Sequence, residues 1–98
     1  MTGIELIAAE RQRQVEVEGW TPEHDDEHAN GEMLQAAIAY ANEPKFGQFV
    51  TDFRAFLFPK SWHPSWWKPS PENRVRELVK AGSLIAAEID RLQRKETT

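Results

Sequence analysis

The residues best suited to chemistry lie at the start of the second predicted helix. Thr21 and the proline after it are of the types favoured at a helix N-cap and first turn, so a helix is predicted over 22–42. On such a helix His24, His28 and Glu32 follow one another at intervals of four residues and share one face. Two imidazoles and a carboxylate suit a divalent metal such as zinc. The spacing therefore predicts a metal site on this face.

The same segment has two other interpretations that the sequence leaves open. Its acidic residues favour the positive end of a helix dipole, in which case the histidines are only exposed side chains. Alternatively, Asp25, Asp26 or Glu32 could hold magnesium together with a substrate phosphate, since hard cations prefer oxygen ligands. Glu88, on the last predicted helix, could share that ion with Glu32. The candidate metal ligands are His24, Asp25, His28, Glu32 and Glu88.

A second group of candidates lies in residues 59–71, which we call the Trp-rich segment. Four prolines in thirteen residues exclude a regular helix or a central strand, so an ordered loop is predicted. Trp62, Trp66 and Trp67 could form a platform on which a base stacks, or they could cover the open end of the core. Lys68 lies beside them, close enough in sequence to reach a phosphate on the same ligand.

Arginines and one more tryptophan complete the candidate ligand site. Guanidinium groups bind phosphate through paired hydrogen bonds, and Arg11 and Arg13 lie on the first predicted helix. Arg74 and Arg76 have the same potential, but for all four the simpler interpretation is a solvated or glutamate-paired surface arginine. Trp20 is predicted to plug the gap between the first two helices. The candidate ligand-binding residues are Arg11, Arg13, Trp20, Trp62, Trp66, Trp67 and Lys68.

Composition narrows the class of protein. A chain of 98 residues with a net charge of −4 and no block of lysine and arginine is not expected to bind nucleic acid. The lack of cysteine excludes disulfides and thiolate metal sites. No apolar run approaches the roughly 20 residues that span a bilayer, and the N-terminal region is acidic, unlike a signal peptide. We therefore expect a cytoplasmic protein without a membrane partner.

Helical patterns dominate the elements that must position these residues. Besides 22–42, helices are predicted over 3–18 and from Pro71 onward, and a short helix is predicted over 46–58 with a strand pair as the alternative. The last helix carries an apolar stripe that predicts the backbone of the core. The stripe consists of Val75, Leu78, Val79, Gly82, Ile85, Ala86, Ile89 and Leu92.

These elements predict the fold class. We expect one all-α domain over 1–98, a compact bundle of three to four helices with the ordered Trp-rich segment before the last helix. Residues 95–98 are expected to be a frayed tail. Because so small a chain carries many aromatic residues, a homo-oligomer that buries some of them is also expected.

Five motifs are distinctive in combination: EGWTPEHDD at 18–26, GE at 31–32, WKP at 67–69, LVKAG at 78–82 and AEI at 87–89. Together they resemble a family of small uncharacterised proteins common in tailed bacteriophages and prophages. The resemblance implies a phage origin and a location in the cytoplasm of the infected bacterium. Small folded phage proteins outside the virion and the replication machinery often counter host defences, some by sequestering nucleotide immune signals. By that analogy we expect a protein that binds a phosphorylated nucleotide-like ligand.

Two alternative functions remain. Nucleoside-triphosphate pyrophosphatases of the all-α MazG type hold magnesium with a Glu-x-x-Glu pair on one helix and a Glu-x-x-Asp pair on the next. The resemblance implies hydrolysis through Asp25, Asp26, Glu32 and Glu88, but it is incomplete, because Glu32 has no acidic residue three positions on and Glu88 is followed by Asp90 at a spacing of two. The other alternative is an inhibitor that docks a host protein through exposed aromatic side chains.

Overall fold

The structure, a computed structural model, describes residues 1–48 and 50–96. This part of the chain forms the predicted all-α domain, with four α-helices and two short 3₁₀ helices. The α-helices are α1 (Gly3–Glu16), α2 (Pro22–Asp26), α3 (Glu32–Ala41) and α4 (Arg74–Glu96). The 3₁₀ helices, Phe53–Leu57 and Pro64–Trp66, lie between α3 and α4. Within the described ranges, none of the helices has both the length and the apolar character that crossing a bilayer requires.

The core forms where α3 packs along α4. Alanines dominate the contact, and because their side chains are small, the two helix backbones can approach closely. α1 crosses α4 at Gly82, where an added Cβ would lie 2.5 Å from Cδ1 of Ile7. The buried apolar residues of the core are Met33, Ala36, Ala37, Ala39, Tyr40, Phe58, Trp62, Ala81, Leu84 and Ala87.

The prediction of one helix over 22–42 is wrong. Thr21 does cap a helix, since its hydroxyl accepts a hydrogen bond from the backbone N–H of His24 at 3.3 Å. That helix ends at Asp26, and α3 begins only after Gly31, whose φ of 81° lies in the left-handed region that favours glycine. The turn between them removes the single helical face on which the predicted metal site depended. α1 also ends slightly early, at Glu16 instead of residue 18.

The helix predicted over 46–58 is also wrong for most of its length. Phe46 and Asp52 pair in an isolated antiparallel bridge, which closes a tight loop and is the only trace of the alternative strand pair among the described residues. Asp52 then caps the first 3₁₀ helix by accepting a hydrogen bond from the backbone N–H of Arg54 at 3.1 Å. Phe49, part of the predicted pattern, lies outside the described residues.

α4 differs from its prediction at both ends. It begins at Arg74, after Asn73, whose side-chain oxygen accepts a hydrogen bond from the backbone N–H of Arg76 at 3.1 Å. It continues to Glu96, so the helix extends through the first two residues of the predicted frayed tail. Thr97 and Thr98, the rest of that tail, lie outside the described residues.

The predicted apolar stripe of α4 does not form the core. Of its eight residues only Val79 is buried, whereas Leu78, Ile85, Ile89 and Leu92 are exposed. α4 instead turns its neighbouring face inward, because α3 lies against that side. The buried residues of α4 are Glu77, Val79, Ala81, Ser83, Leu84, Ala87 and Arg91.

A buried ion cluster joins the first 3₁₀ helix to α3 and α4. The guanidinium of Arg54 donates to both carboxylate oxygens of Glu77, at 3.0 and 2.7 Å, and to the backbone carbonyl of Asn42 at 3.1 Å. Arg74 donates to Glu77 at 2.6 Å and to the carbonyl of Ala41 at 2.9 Å. The last carbonyls of α3, which have no partner within their own helix, are thus satisfied by arginines.

Candidate functional site

A cavity of about 510 Å³ opens on one side of α4. α1, the connection after it and α2 form one wall, and the end of α3, the Trp-rich segment and α4 form the other. This volume falls in the range of roughly 300–1,000 Å³ that small-molecule sites occupy. The lining residues are Glu10, Arg13, Gln14, Glu18, Trp20, His24, Tyr40, Trp66, Lys68, Arg76, Lys80 and Leu84.

A buried carboxylate fixes the arginines of this cavity. Glu10 accepts hydrogen bonds from Arg13 at 2.9 and 3.0 Å and from Arg76 at 2.7 Å. Burial alone would raise the pKa of Glu10, but the hydrogen bonds from the two guanidinium groups outweigh it and hold the pKa below its usual range. Gln14 adds a hydrogen bond to Glu10 at 3.3 Å and one to Ser83 at 3.0 Å. The arginines of α1 and α4 are therefore held in place before any ligand arrives.

Aromatic rings form the other end of the cavity. The ring of Trp20 stacks on that of His24, with centroids 5.6 Å apart and an interplanar angle of 18°. Trp66 lies 6.4 Å from His24 and is 38% exposed, so much of its indole faces solvent. Rings placed in this way can offer a flat ligand a stacking surface.

Tyr40 connects the aromatic end to the cationic side. Its hydroxyl donates to the carbonyl of Trp66 at 3.4 Å and accepts a hydrogen bond from the backbone N–H of Lys68 at 3.0 Å. The ammonium of Lys80 lies 5.4 Å from the centre of the Tyr40 ring and donates to the carbonyl of Lys68 at 2.7 Å. Burial, followed by repulsion from Arg76, lowers the pKa of Lys80.

The charge of the cavity is opposite to that of the chain. Its lining includes Arg13, Lys68, Arg76 and Lys80, against the two carboxylates of Glu10 and Glu18. Both carboxylates are already paired with an arginine, since Glu18 accepts from Arg13 at 3.0 Å. In a chain with a net charge of −4 the cavity is thus a local concentration of positive charge. Such a concavity attracts anions.

Four of the seven candidate ligand-binding residues line this cavity. Arg13 and Trp20 reach it from α1 and the connection that follows, and Trp66 and Lys68 reach it from the Trp-rich segment. These two parts of the chain are more than forty residues apart in sequence. The fold therefore brings together aromatic and cationic residues that the sequence indicated separately.

The other three candidates lie elsewhere. Arg11 is paired with Asp25 and also donates to the carbonyl of Trp20 at 3.4 Å. Trp62 is buried in the core, and its indole N–H donates to Nδ1 of His28. Trp67 packs 4.7 Å from the ring of Tyr40, partly buried beneath Arg54. For these residues the structural interpretation holds, because their side chains are used by the fold itself.

Several lining residues were not among the sequence candidates. Arg76 was considered and set aside as a surface arginine, and Lys80 and Tyr40 were not singled out. The sequence does contain a signal for Arg76 and Lys80. Together with Leu84 they recur at intervals of four on α4 and so share one face of that helix. Glu10 gave no such signal, since only the fold reveals its burial.

The structure brings some of the predicted metal ligands together, and His28 uses only one of its ring nitrogens, since Nε2 is buried with no hydrogen-bond partner among the described residues. The rings of His24 and His28 lie 4.8 Å apart, and His28 lies 3.4 Å from Glu32. The Nδ1 atom of His28, however, accepts a hydrogen bond from the indole N–H of Trp62 at 3.3 Å. Across residues 1–48 and 50–96 there is no group of three or more histidine, aspartate or glutamate side chains placed to hold a metal ion.

Three of the four acidic candidates are each paired with an arginine, whereas Glu32 accepts a hydrogen bond from the backbone N–H of Asn30 at 2.7 Å. Asp25 is fully buried and pairs with Arg11, and Asp26, exposed at the surface, pairs with Arg94 at 2.8 Å. Glu88 pairs with Arg91 on its own helix at 2.6 Å. The carboxylates of Asp25, Asp26 and Glu88 therefore act as structural partners of arginines.

Comparison of the chain with known protein families, with characterised proteins and with solved structures found no match. The phage-family and pyrophosphatase resemblances thus stay predictions. What the protein does must be argued from the cavity itself.

Proposed function

We propose that the protein binds a phosphorylated, nucleotide-like ligand in the 510 Å³ cavity. The observation that carries this proposal is the combination, in one concave site, of stacking rings with four cationic side chains against two carboxylates, in an otherwise acidic chain. A nucleotide has a flat base and a phosphate. The aromatic end of the cavity suits the base, and its cationic side suits the phosphate. Neither part of the cavity alone would favour a nucleotide over other anions or other aromatic molecules.

The aromatic end and the cationic side of the cavity suggest how such a ligand lies. The base stacks against Trp66 or Trp20, a contact worth roughly 1–3 kcal/mol per base. The phosphate faces Arg76 and Lys80, with Lys68 at the rim. Arg76 is suited to this role because its anchor, Glu10, limits the rotamer freedom that a surface arginine would otherwise lose on binding.

Binding without turnover fits the cavity better than catalysis does. The pyrophosphatase alternative needs acidic residues free to hold magnesium, and three of its four candidates, Asp25, Asp26 and Glu88, are each paired with an arginine. Binding requires no catalytic group, only a site that is already formed. Since the motifs resemble those of phage proteins, we extend the proposal to sequestration of a nucleotide immune signal in the cytoplasm of an infected bacterium.

Isothermal titration calorimetry with a panel of mononucleotides, dinucleotides and cyclic dinucleotides tests the proposal. Lys68→Gln removes a charge from the cavity and should weaken binding about tenfold or more, as expected for one lost hydrogen bond to a charged group. Lys60→Gln is the matched control, because Lys60 is an exposed lysine of the same segment that does not line the cavity. Equal affinity of the two variants would contradict a phosphate at this site.

A second pair of variants tests the aromatic end of the cavity. Trp66→Leu should weaken binding at least about fivefold, since it removes a base contact. Phe56→Leu is the control, because Phe56 is an exposed aromatic residue that does not line the cavity. If neither variant changes the affinity for any nucleotide that binds, the base does not stack on Trp66.

A further inference from the structure

The exposed side of α4 is a continuous apolar surface. Leu78, Ile85, Ile89 and Leu92 follow at spacings of seven, four and three residues, which places them on one face of the helix. Their exposed fractions are 50%, 42%, 50% and 43%, so about half of each side chain remains in contact with water. We call these four residues the α4 face. It lies on residues that the cavity does not use.

No charged residue interrupts this surface. Between Val75 and Gln93, the residues nearest to the helical direction of the α4 face are Ala81 and Gly82, both uncharged. α1 borders the same surface, because Ile7 packs over Gly82. Ile4, one turn before Ile7, is 82% exposed and extends the apolar region onto α1. An apolar surface spread over two helices in this way is typical of an interaction site.

The chain as a whole exposes more surface than an average monomer of its mass. The chain exposes 6321 Å², whereas a folded monomer of 11.3 kDa exposes about 5,700 Å² on average. The excess, roughly 600 Å² per chain, is comparable to the area of about 800 Å² that each partner buries in a typical stable complex. This total does not locate the surplus on one surface, but a dimer interface would cover an area of this size.

The lack of charge favours a second copy of this chain as the occupant. Two copies each carry a net charge of −4 and repel one another, and a contact surface without charge adds no local repulsion to this. A two-fold axis places the same patch on both sides of an interface, and an uncharged apolar patch is complementary to itself. A partner of opposite charge would find no charged group on the α4 face to recognise.

We propose that the protein forms a two-fold symmetric dimer in which the α4 face of one protomer packs against the α4 face of its partner. Ile85 lies midway between Leu78 and Leu92 and is therefore close to the axis. The dimer leaves the cavity of each protomer open. The dimer also explains why α4 carries an apolar stripe with the spacing of a buried helix face, although a single chain leaves that stripe exposed.

Sedimentation equilibrium of the full chain tests this proposal. Wild type should have twice the mass of 11.3 kDa at micromolar concentrations, and the double variant Ile85→Glu, Ile89→Glu should have the mass of one chain with unchanged helical circular dichroism. Phe56→Glu, which adds a charge at a residue 64% exposed on another surface, should remain dimeric. A wild type that is monomeric up to several hundred micromolar overturns the proposal, as does an Ile85, Ile89 double variant that dimerises like wild type.

A cross-linking measurement keeps the proposal testable if the double variant does not fold. Because the chain has no cysteine, Ile85→Cys introduces a single thiol. Two such thiols close to a two-fold axis should form a disulfide between protomers within minutes of mild oxidation. Phe56→Cys is the control and should cross-link much more slowly. Equal rates for the two variants would overturn the proposed interface.

Discussion

The buried carboxylate of Glu77 provides the sharpest test of how the fold is held together. Its side chain is fully buried and accepts hydrogen bonds from Arg54, Arg74 and the backbone N–H of Ser70. Glu77→Gln keeps the shape of the side chain but replaces one carboxylate oxygen by an NH₂ group, which donates hydrogen bonds. Because the surrounding groups are also donors, that NH₂ group faces donors instead of acceptors. The guanidinium of Arg54, itself buried, would keep only Asp52 as an ionic partner.

The expected loss is large for one substitution. Removing one partner of a buried ion pair costs roughly 3–5 kcal/mol. The total free energy of unfolding of a domain is about 5–15 kcal/mol, so the variant should lose a substantial part of its stability. Glu16→Gln is the control, because Glu16 is exposed and accepts a hydrogen bond from Gln12 of its own helix. This variant should lose no more than about 0.5 kcal/mol of stability.

Urea unfolding followed by circular dichroism measures both variants, and pH supplies a second check. Burial would raise the pKa of Glu77, but hydrogen bonds from Arg54 and Arg74 outweigh it and lower the pKa. Because the pKa of Glu77 is lower in the native state, its ionisation stabilises that state at pH values above the unfolded-state pKa of about 4.3. This stability is lost as the pH falls through the native-state pKa. The difference between wild type and Glu77→Gln should therefore narrow in acid. A difference below 1 kcal/mol at neutral pH, or one that widens in acid, would refute this account of the cluster.

Three further predictions follow from single features of the structure. Gly31→Ala should lose about 1–2 kcal/mol of stability, because φ at Gly31 is 81°, whereas Gly3→Ala should lose none, since its φ is ordinary and nothing lies near. Leu84→Ala should lose about 2–5 kcal/mol in urea unfolding, since Leu84 is buried, and Leu34→Ala, at an exposed position of α3, should lose much less. Nucleotide affinity should fall as the salt concentration rises, because the cavity attracts anions by charge; an unchanged affinity between low and high salt would exclude that attraction.

Local signals predicted the helices but not where each one stops or which face it buries. Thr21 and Pro22 marked the start of α2 correctly, because capping is decided by neighbouring residues. The break at Gly31 was missed, since one glycine within a helical pattern costs only about 1 kcal/mol and tertiary contacts decide whether the helix continues. The stripe of α4 was identified as apolar, but periodicity does not tell whether the same chain covers it.

The candidate site shows the same limit. Trp66 and Lys68 were predicted because their types and neighbours are unusual, and they do line the cavity. Arg76 and Lys80 were not predicted, because in sequence they resemble the solvated residues of any amphipathic helix. The position of Arg76 depends on Glu10 of α1, more than sixty residues away in sequence, and that of Lys80 depends on Tyr40 of α3. Pairings over such distances are set by the fold, which one sequence does not reveal.

Mass spectrometry of captured small molecules shows whether the cavity binds a phosphorylated nucleotide-like ligand. Untagged protein is incubated with the small-molecule extract of bacterial cells, separated from unbound compounds and analysed for the molecules it retains. The account predicts that wild type and Lys60→Gln retain a phosphorylated nucleotide and that Lys68→Gln and Trp66→Leu retain much less of it. Retention of no phosphorylated compound by wild type, or equal retention by all four proteins, would contradict the claim.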